Sequence, residues 1–515
     1  MSLFKPGERD AANALSRLAY CNPFLPERVE WERIALGAEF VATDAVWSVR
    51  AEGDLADPNV VKLTALAEGL ASRLRERLLG KVKASAAELA AYQDVVIYVL
   101  YHRYEPSLYE AAVKQAPGLR VTSYRRFRAD FDHFLQLPRA DLSPSINPEH
   151  LFSCLFQIRR AFYQIFNHIV GGSMPAARLR AAVWQSIFTH DLQRYQRSLY
   201  RRMHDVTTLV TGPSGTGKEL VARAIGLSQY VPFDAAREAF TTNVDESFHA
   251  LNLSALPATL IESELFGHRK GAFTGALDDR TGWLEACPPL GTVLLDEIGE
   301  LDASIQVKLL RILQTREFQR IGETKSRKFQ GKVIASTNRD LPDEMRAGRF
   351  REDLYYRLCS DLIVTPSLQE QLADSPGELR NLVRFVVERV AGPEEAKTVA
   401  AEVLEWIEQQ LGEDYRWPGN VRELEQCVRN VLVRKEYHPQ SRPKEDPREE
   451  LADAVSQGRL TAKELLRQYC TLVYAQTANY QETARRLELD RRTVKSHVDP
   501  DLLGEMRATR GNANN

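Results

Sequence analysis

No apolar run in the chain approaches the ~20 residues that a bilayer-spanning helix needs, which excludes an α-helical membrane protein. Met1-Ser-Leu-Phe-Lys5 is followed closely by Glu8, Arg9 and Asp10 where a secretory leader would stay apolar, so a cytoplasmic location is expected. The six cysteines (Cys21, Cys154, Cys287, Cys359, Cys427, Cys470) form no CxxC pair and no metal-ligand spacing, the pattern of a reduced compartment. An excess of one charge is also missing. The 68 Lys and Arg against 70 Asp and Glu leave a net charge of −2, so any contact with nucleic acid must come from a local patch. The 515 residues leave room for three or more domains, and 44% hydrophobic with 27% charged content is ordinary for globular chains.

What is present begins at Thr207-Thr-Leu-Val-Thr211, a β-prone run that leads into Gly212-Pro213-Ser214-Gly215-Thr216-Gly217-Lys218-Glu219 and then the helical Leu220 to Ile225. Strand, glycine-rich turn and helix make this GxxxxGK a phosphate-binding loop. Its glycines let successive N–H groups curl around a phosphate, the helix N-terminus adds partial positive charge, and Lys218 would neutralise the β- and γ-phosphates. Glu219 stands where most such loops place a magnesium-binding Ser or Thr. Thr292-Val-Leu-Leu-Asp296-Glu297 reads as a strand buried on both faces with two carboxylates at its carboxyl end, where open α/β sheets place ligands. Asp296 would hold Mg2+ and Glu297 would polarise the attacking water. Lys332-Val-Ile-Ala-Ser-Thr337 is a third strand, ending in Asn338.

Between the two nucleotide motifs stand Glu262-Ser-Glu-Leu-Phe-Gly-His268 and Gly271-Ala272-Phe273-Thr274-Gly275-Ala276. Nucleotide chemistry requires neither. An aromatic beside a threonine, framed by glycines, reads as a mobile loop that pushes on something outside the ATPase. On these residues the chain resembles the sigma-54-dependent transcriptional activators, or bacterial enhancer-binding proteins. The resemblance covers roughly residues 205 to 500. It implies an AAA+ α/β ATPase core with an α-helical lid, ATP and Mg2+ as cofactors, and a loop Gly271 to Ala276 that touches sigma-54 RNA polymerase. It also implies a homo-oligomeric ring, most readily a hexamer, and binding to double-stranded DNA upstream of the promoter.

Further residues follow from the same resemblance. Asn338 would sense the γ-phosphate. Arg351 and Arg357, in Phe350-Arg-Glu-Asp-Leu-Tyr-Tyr-Arg-Leu358, would be supplied to the ATP of a neighbouring subunit, where a guanidinium stabilises the charge of the transition state. Arg422, in Trp417-Pro-Gly-Asn-Val-Arg-Glu-Leu424, would be the lid's sensor, and Asn252 would pair with Glu297 and couple hydrolysis to loop motion. Two departures from the family pattern are visible. The stretch from Val231 to His249 is longer by several residues, and Pro366 to Glu370 lacks the usual arginine-rich segment, so the lid is expected to dock differently.

The domain pattern is expected as 1–184 helical and regulatory, 185–365 the α/β ATPase, 366–436 the helical lid, 437–458 a Pro-rich linker, and 459–515 a Fis-type helix-turn-helix. In the first piece Val61 to Leu79 and Leu151 to Ile169 are helical, whereas Asp94-Val-Val-Ile-Tyr-Val-Leu100 is β-branched enough for a strand. No receiver-like alternation of strands and helices occurs there, so regulation is expected through an unknown ligand or protein and not through aspartyl phosphorylation. In the last piece Thr461 to Ala478 would turn Leu465, Leu466, Tyr469, Leu472 and Val473 to one face. Asp490 would cap a recognition helix from which Arg491, Arg492, Thr493 and Lys495 reach DNA. A regulator without polymerase contact and a general remodelling machine are the competing readings. The intact Gly271–Ala276 loop argues against the first, and the basic helix-turn-helix against the second.

Overall fold

The computed structural model describes residues 2–42, 57–80, 82–114, 120–138, 142, 146–242, 247–375, 377–412, 415–439, 451, 454–455, 458, 460–500 and 502–503. The chain divides into two compact units, Met1–Val433 and Arg434–Asn515.

The first unit opens with seven helices: α1 (Glu8–Tyr20), α2 (Glu27–Leu36), α3 (Pro58–Leu79), α4 (Ala86–Lys114), α5 (Ser123–Leu135), α6 (Pro148–His168) and α7 (Met174–Phe188). Asp57, Asn147 and Ser173 cap α3, α6 and α7 through their side chains, each followed by a residue that starts the helix with proline at its first or second position. The strand expected at Asp94–Leu100 is helix, the middle of α4. α4 is enclosed by α1, α3, α5 and α6, and Val95 to Leu100 are all buried. β-branched side chains facing protein on every side are satisfied in a helix, and packing overrides local propensity.

Next comes a five-stranded parallel sheet: β1 (Thr208–Thr211), β2 (Phe248–Asn252), β3 (Thr292–Asp296), β4 (Lys332–Thr337) and β5 (Asp361–Val364), in the spatial order β2-β3-β4-β1-β5. β3 and β4 are central and read as near-continuous apolar or β-branched runs, as strands covered on both faces must. Helix α8 (Lys218–Gly226) follows β1 directly and begins with Gly217 in the left-handed region. The lid is helical, with α9 (Leu368–Asp374), α10 (Glu378–Ala391), α11 (Ala396–Gln410) and α12 (Asn420–Arg434).

α6 and α7 do not stand apart from the sheet. Ile158, Ala161, Ile165, Val183 and Ile187 share one buried cluster with Val210, Val221, Ile225, Leu294, Ile334 and Ile363. The long stretch after α8 is a hairpin, Phe233–Asp234 paired antiparallel with Ala239–Phe240, and it reaches back into the helical region. Phe233 and Phe240 pack on Phe152 and Phe156, and Phe233 also meets Tyr124. Val121 N–H donates to Glu238 O at 2.7 Å, and Phe233 N–H to Ser153 Oγ at 2.9 Å. Burying one aromatic side chain contributes about 1.5–3 kcal/mol. The hairpin thus holds the core of the first six helices to the ATPase by several such terms.

The second unit contains the helices Ala462–Thr477, Tyr480–Leu487 and Arg491–His497. Thr461 and Glu464 form a reciprocal capping box, and Asp490 accepts from Arg492 N–H at 2.7 Å. The turn without glycine is closed by Glu488, which takes φ 53 itself. The expected inward face is corrected in part. Cys470, Thr471 and Val473 are buried, while Leu465 is 37% and Tyr469 48% exposed. The long helix meets the two short ones, in which Ala484 and Val494 are buried. Most of the Pro-rich linker, residues 440–450, lies outside the described residues.

Candidate nucleotide and polymerase-loop site

β1 ends where the chain must turn sharply into α8, and the glycines there are required by contact. Gly212 has φ 140, and a Cβ on it would meet Thr365 Oγ1 at 2.2 Å. Gly215 has φ 78, and a Cβ there would meet Gly419 O at 2.2 Å and Arg422 Cβ at 3.1 Å. The loop therefore touches the lid backbone directly. Asn420 straps the two: its Nδ2 donates to Ser214 O at 2.9 Å while its Oδ1 accepts from Leu368 N–H at 2.8 Å. Thr216 Oγ1 donates to Pro213 O at 2.8 Å and lies 2.6 Å from Thr365 Oγ1.

A cavity of about 250 Å³ opens at this junction, lined by Ser214 to Glu219, Asp296, Glu297, Arg422 and the lid's Leu382, Phe385 and Arg389. His168, Ile169, Ala176 and Leu179, at the facing ends of α6 and α7, form its far wall. Lys218 Nζ donates to Gly212 O (2.9 Å) and Pro213 O (3.0 Å). Burial lowers the Lys218 pKa, opposed by Glu297 and Asp296 and reinforced by Arg422. Glu219 lines the cavity but binds Arg223 at 3.2 Å.

At the end of β3, Asp296 Oδ1 accepts from Ser336 Oγ at 2.6 Å. Asn252 Nδ2 reaches Asp296 Oδ2 at 3.3 Å, not Glu297 as expected. The register explains this, because Asn252 lies opposite Asp296 in the parallel pair β2–β3. Glu297 takes φ 57, which turns its carboxylate so that Oε2 accepts from Asn338 N–H at 3.3 Å. A non-glycine residue in this region is strained, and such strain concentrates at functional positions.

Arg351 and Arg357 do not line this cavity. Arg351 is exposed and paired with Asp353 at 2.7 Å. Arg357 is exposed, and its guanidinium makes no ion pair or hydrogen bond among the described residues. Arg491, Arg492 and Lys495 are exposed on the Arg491–His497 helix, and Thr493 is half-buried.

The Gly271–Ala276 segment lies outside the cavity and closes on itself. Gly271 N–H donates to Ala276 O at 2.9 Å, and Ala276 N–H to Phe273 O at 3.0 Å. Gly271 and Gly275 have φ 78 and 102, with nothing within 4 Å of a Cβ on either. Phe273 is 37% exposed with its ring edge against His268, while Ala276 is buried. Asp279 fastens the base of the loop, accepting from Lys270 N–H at 2.8 Å and pairing with Arg269. The Lys270 N–H foremost holds its carboxyl below the usual range.

Sequence reasoning missed Glu378. Fully buried at the start of α10, it accepts from Gly172 N–H at 2.7 Å and Ser173 Oγ at 3.1 Å, while Asp374 accepts from Met174 N–H at 2.7 Å. Buried Arg180 holds the same segment from beneath through Ile169 O and Gly171 O. This is how the lid docks without the missing arginine-rich stretch. No local motif signals it, because the partners are some 200 residues apart in sequence.

A parallel sheet with a phosphate-binding turn after β1, a carboxylate pair after the adjacent-but-one strand and a helical lid define an AAA+ P-loop ATPase fold. The sigma-54 interaction domain is the family model that matches, over residues 188–363. The chain resembles the sigma-54-dependent transcriptional activators, and this domain carries the resemblance. It is 45% identical over 229 residues to a Nif-specific regulatory protein of Enterobacter agglomerans, covering 44% of this chain and 40% of that one. It is 44% identical over 230 residues to the hydrogenase transcriptional regulatory protein HoxA of Bradyrhizobium diazoefficiens (45% and 43% covered). The chain thus matches less than half the length of these relatives. Among solved structures, NtrX from Brucella abortus aligns with a TM-score of 0.39 at 21% identity, over 78% of this chain and 85% of that one, too weak a likeness to bear on function. Among the described residues no helix is long and apolar enough to cross a membrane.

Proposed function

We propose that this chain is an ATP-hydrolysing activator that remodels the closed complex of sigma-54 RNA polymerase into an open one while bound to DNA upstream of the promoter. The observation that carries the reading is the exposed, self-closed Gly271–Ala276 loop, which stands outside the nucleotide cavity of a sigma-54 interaction domain. In this reading the backbone of Gly212 to Gly217 holds the phosphates, with Lys218 released from its carbonyls onto them. Glu297 takes the water's proton, Asn338 relays the γ-phosphate's presence through its N–H to Glu297, and Arg422 carries it to the lid.

The residues present suit Mg2+. Asp296 offers a carboxylate on the cavity, but no group of three or more His, Cys, Asp or Glu able to hold a metal occurs among the described residues. That suits an ion whose remaining ligands are phosphate oxygens and water. Bound there, it would neutralise charge on the β- and γ-oxygens. Arg351 and Arg357, exposed and away from their own cavity, would serve a neighbouring subunit, which calls for a ring. The exposed Arg491, Arg492 and Lys495, with Thr493, would meet DNA, Arg491 to Thr493 from the first turn of the second helix of a helix-turn-helix and Lys495 from its last turn.

Thr274→Ala tests the reading. ATP turnover should stay near wild type while open-complex formation with sigma-54 polymerase is lost. Full promoter opening by Thr274→Ala would sink the polymerase-contact assignment.

A further inference from the structure

A second cavity, of about 410 Å³, lies inside the helical region between α1, α2, α4, α6 and α7. Its walls are apolar and aromatic, with Tyr98, Tyr101, Phe162, Phe166 and Trp184 among them. Two guanidiniums and three carboxylates line it, and Asp57, the unpaired carboxylate, caps α3 by accepting from Asn59 N–H at 2.9 Å. Arg28 is paired with Glu32, and Arg159 with Glu105. His102, its ring against Tyr98 and Tyr101, is held neutral because burial lowers its pKa to about 4.

Among the buried acceptors of the lining, one carboxylate oxygen is left over. Glu32 is 2% exposed, and Arg28 binds its Oε1, yet its Oε2 has no hydrogen-bond partner. A buried carboxylate oxygen without a donor bears a desolvation cost that nothing offsets. Burial pushes the Glu32 carboxyl up, with Arg28 opposing. The oxygen belongs to a residue that lines a space of ligand size.

We propose that this cavity is a binding site for an uncharged, mainly apolar small molecule that carries one N–H or O–H group, donated to Glu32 Oε2. An anion would find both guanidiniums already ion-paired, and a cation would find Glu32 and Glu105 paired and Asp57 engaged in capping α3, so an ionic ligand would be desolvated without a free opposing partner. Aromatic walls supply area, and the lone acceptor supplies orientation.

The site is placed to speak to the nucleotide. Phe162 and Phe166 on α6 and Trp184 on α7 face this cavity, whereas His168 at the end of α6 and Ala176 and Leu179 on α7 face the other one. The same two helices are walls of both, so a ligand that shifts them changes nucleotide affinity, and linkage makes the effect reciprocal. This deepens the proposed function by assigning its regulation, and it rests on that reading only for the meaning of the nucleotide.

The probe is N-phenyl-1-naphthylamine, uncharged, with a naphthyl and a phenyl ring joined by a single N–H, titrated by fluorescence into the full chain. Saturable binding of one per chain is expected, at least tenfold weaker in Glu32→Gln and lost in Ile158→Phe or Leu18→Phe, which fill the cavity. The N-methylated probe lacks the donor and should bind wild-type protein at least tenfold more weakly, a comparison that needs no variant to fold. Absence of saturable binding, equal affinity for both probes, or undiminished binding by a filled variant with a wild-type circular dichroism spectrum would each overturn the site. Saturating probe should shift the ADP dissociation constant about fivefold or more, and an unchanged constant would overturn the coupling. None of these readouts requires ATP hydrolysis or polymerase, so a failure here is separate from a failure of the proposed function.

Discussion

Asn420 offers the sharpest test of how the lid is held to the phosphate loop. It is 6% exposed, sits at φ 54, and spends both ends of its amide on backbone: Ser214 O at 2.9 Å and Leu368 N–H at 2.8 Å. Asn420→Gly removes both bonds and leaves the backbone at ease. The bond to Ser214 is worth about 0.5–1.5 kcal/mol, and the stranded Leu368 N–H costs about 1–3 kcal/mol. The sum is about 3 kcal/mol. Asn420→Ala loses the same bonds and adds about 1 kcal/mol for a Cβ in the left-handed region, which Asn tolerates better than Ala. A local measurement suits a chain of this size, since one global unfolding free energy is poorly defined for several packed pieces. Hydrogen exchange at the Leu368 amide should therefore quicken about a hundredfold in Asn420→Gly and several-fold more in Asn420→Ala. ADP affinity should fall in the same order, because the strap fixes the loop that would hold the phosphates. Wild-type exchange in Asn420→Gly would refute the strap, and equal effects of Gly and Ala would refute the backbone contribution.

Lys332 is fully buried on β4 with Nζ donating to Val206 O at 2.7 Å, and burial lowers its pKa to about 8, opposed by Asp361. Its folded pKa lies below the unfolded value near 10.4, so the cost of charging it, about 3 kcal/mol, is fully present below pH 8 and fades as pH rises to about 10.5. Lys332→Met should accordingly raise the first melting transition at pH 7, less the hydrogen bond it forfeits, and not at pH 10.5, as paired melts would check. Glu297→Gln should bind ATP yet fail to turn it over, and normal turnover would remove Glu297 from catalysis. A mixture of Lys218→Ala and Arg357→Ala subunits, each inert alone, should regain partial ATPase activity, and an inert mixture with verified co-assembly would count against arginines acting in trans. Acetyl phosphate should leave residues 1–184 unlabelled, and stoichiometric aspartyl labelling would overturn regulation by binding.

Motifs that act through consecutive backbone were legible in the sequence. Gly212 to Lys218 forms the turn its glycines require, Thr292–Asp296 and Lys332–Thr337 are the expected strands, and Asp490 caps its helix. Pairings across the chain were not. Nothing near Asp94–Leu100 tells that four helices will gather so as to bury a β-branched helix on all sides. The partner of Asn252 is set by strand register, which a family pattern carries only for the conformation in which it was read. The extra length after Val231 was visible as length alone. Its use as an anchor depends on Phe152 and Phe156, some eighty residues earlier, presenting rings at the right spacing.

The charge on the nucleotide cavity favours the ring reading over a self-sufficient subunit. Its lining carries three cations, Lys218, Arg389 and Arg422, against four carboxylates, Glu219, Asp296, Glu297 and Glu425. Glu219 is neutralised in part by Arg223, and Lys218 rests on carbonyls, which leaves Arg422 as the positive group nearest both loop and lid. A triphosphate entering such a cavity adds several negative charges to a site with no surplus of positive ones. A divalent ion at Asp296 offsets part of that. The remainder, and the charge that grows on the γ-phosphoryl oxygens during transfer, exceeds what Arg389 and Arg422 offset against four carboxylates, and a further guanidinium would supply it. Arg357 would be the counterpart of that deficit: exposed, without a partner of its own among the described residues, and fixed on a short helix whose Leu354 and Leu358 are buried in the ATPase core. In the proposed ring, that unpaired cation would be offered to the nucleotide of a neighbouring subunit.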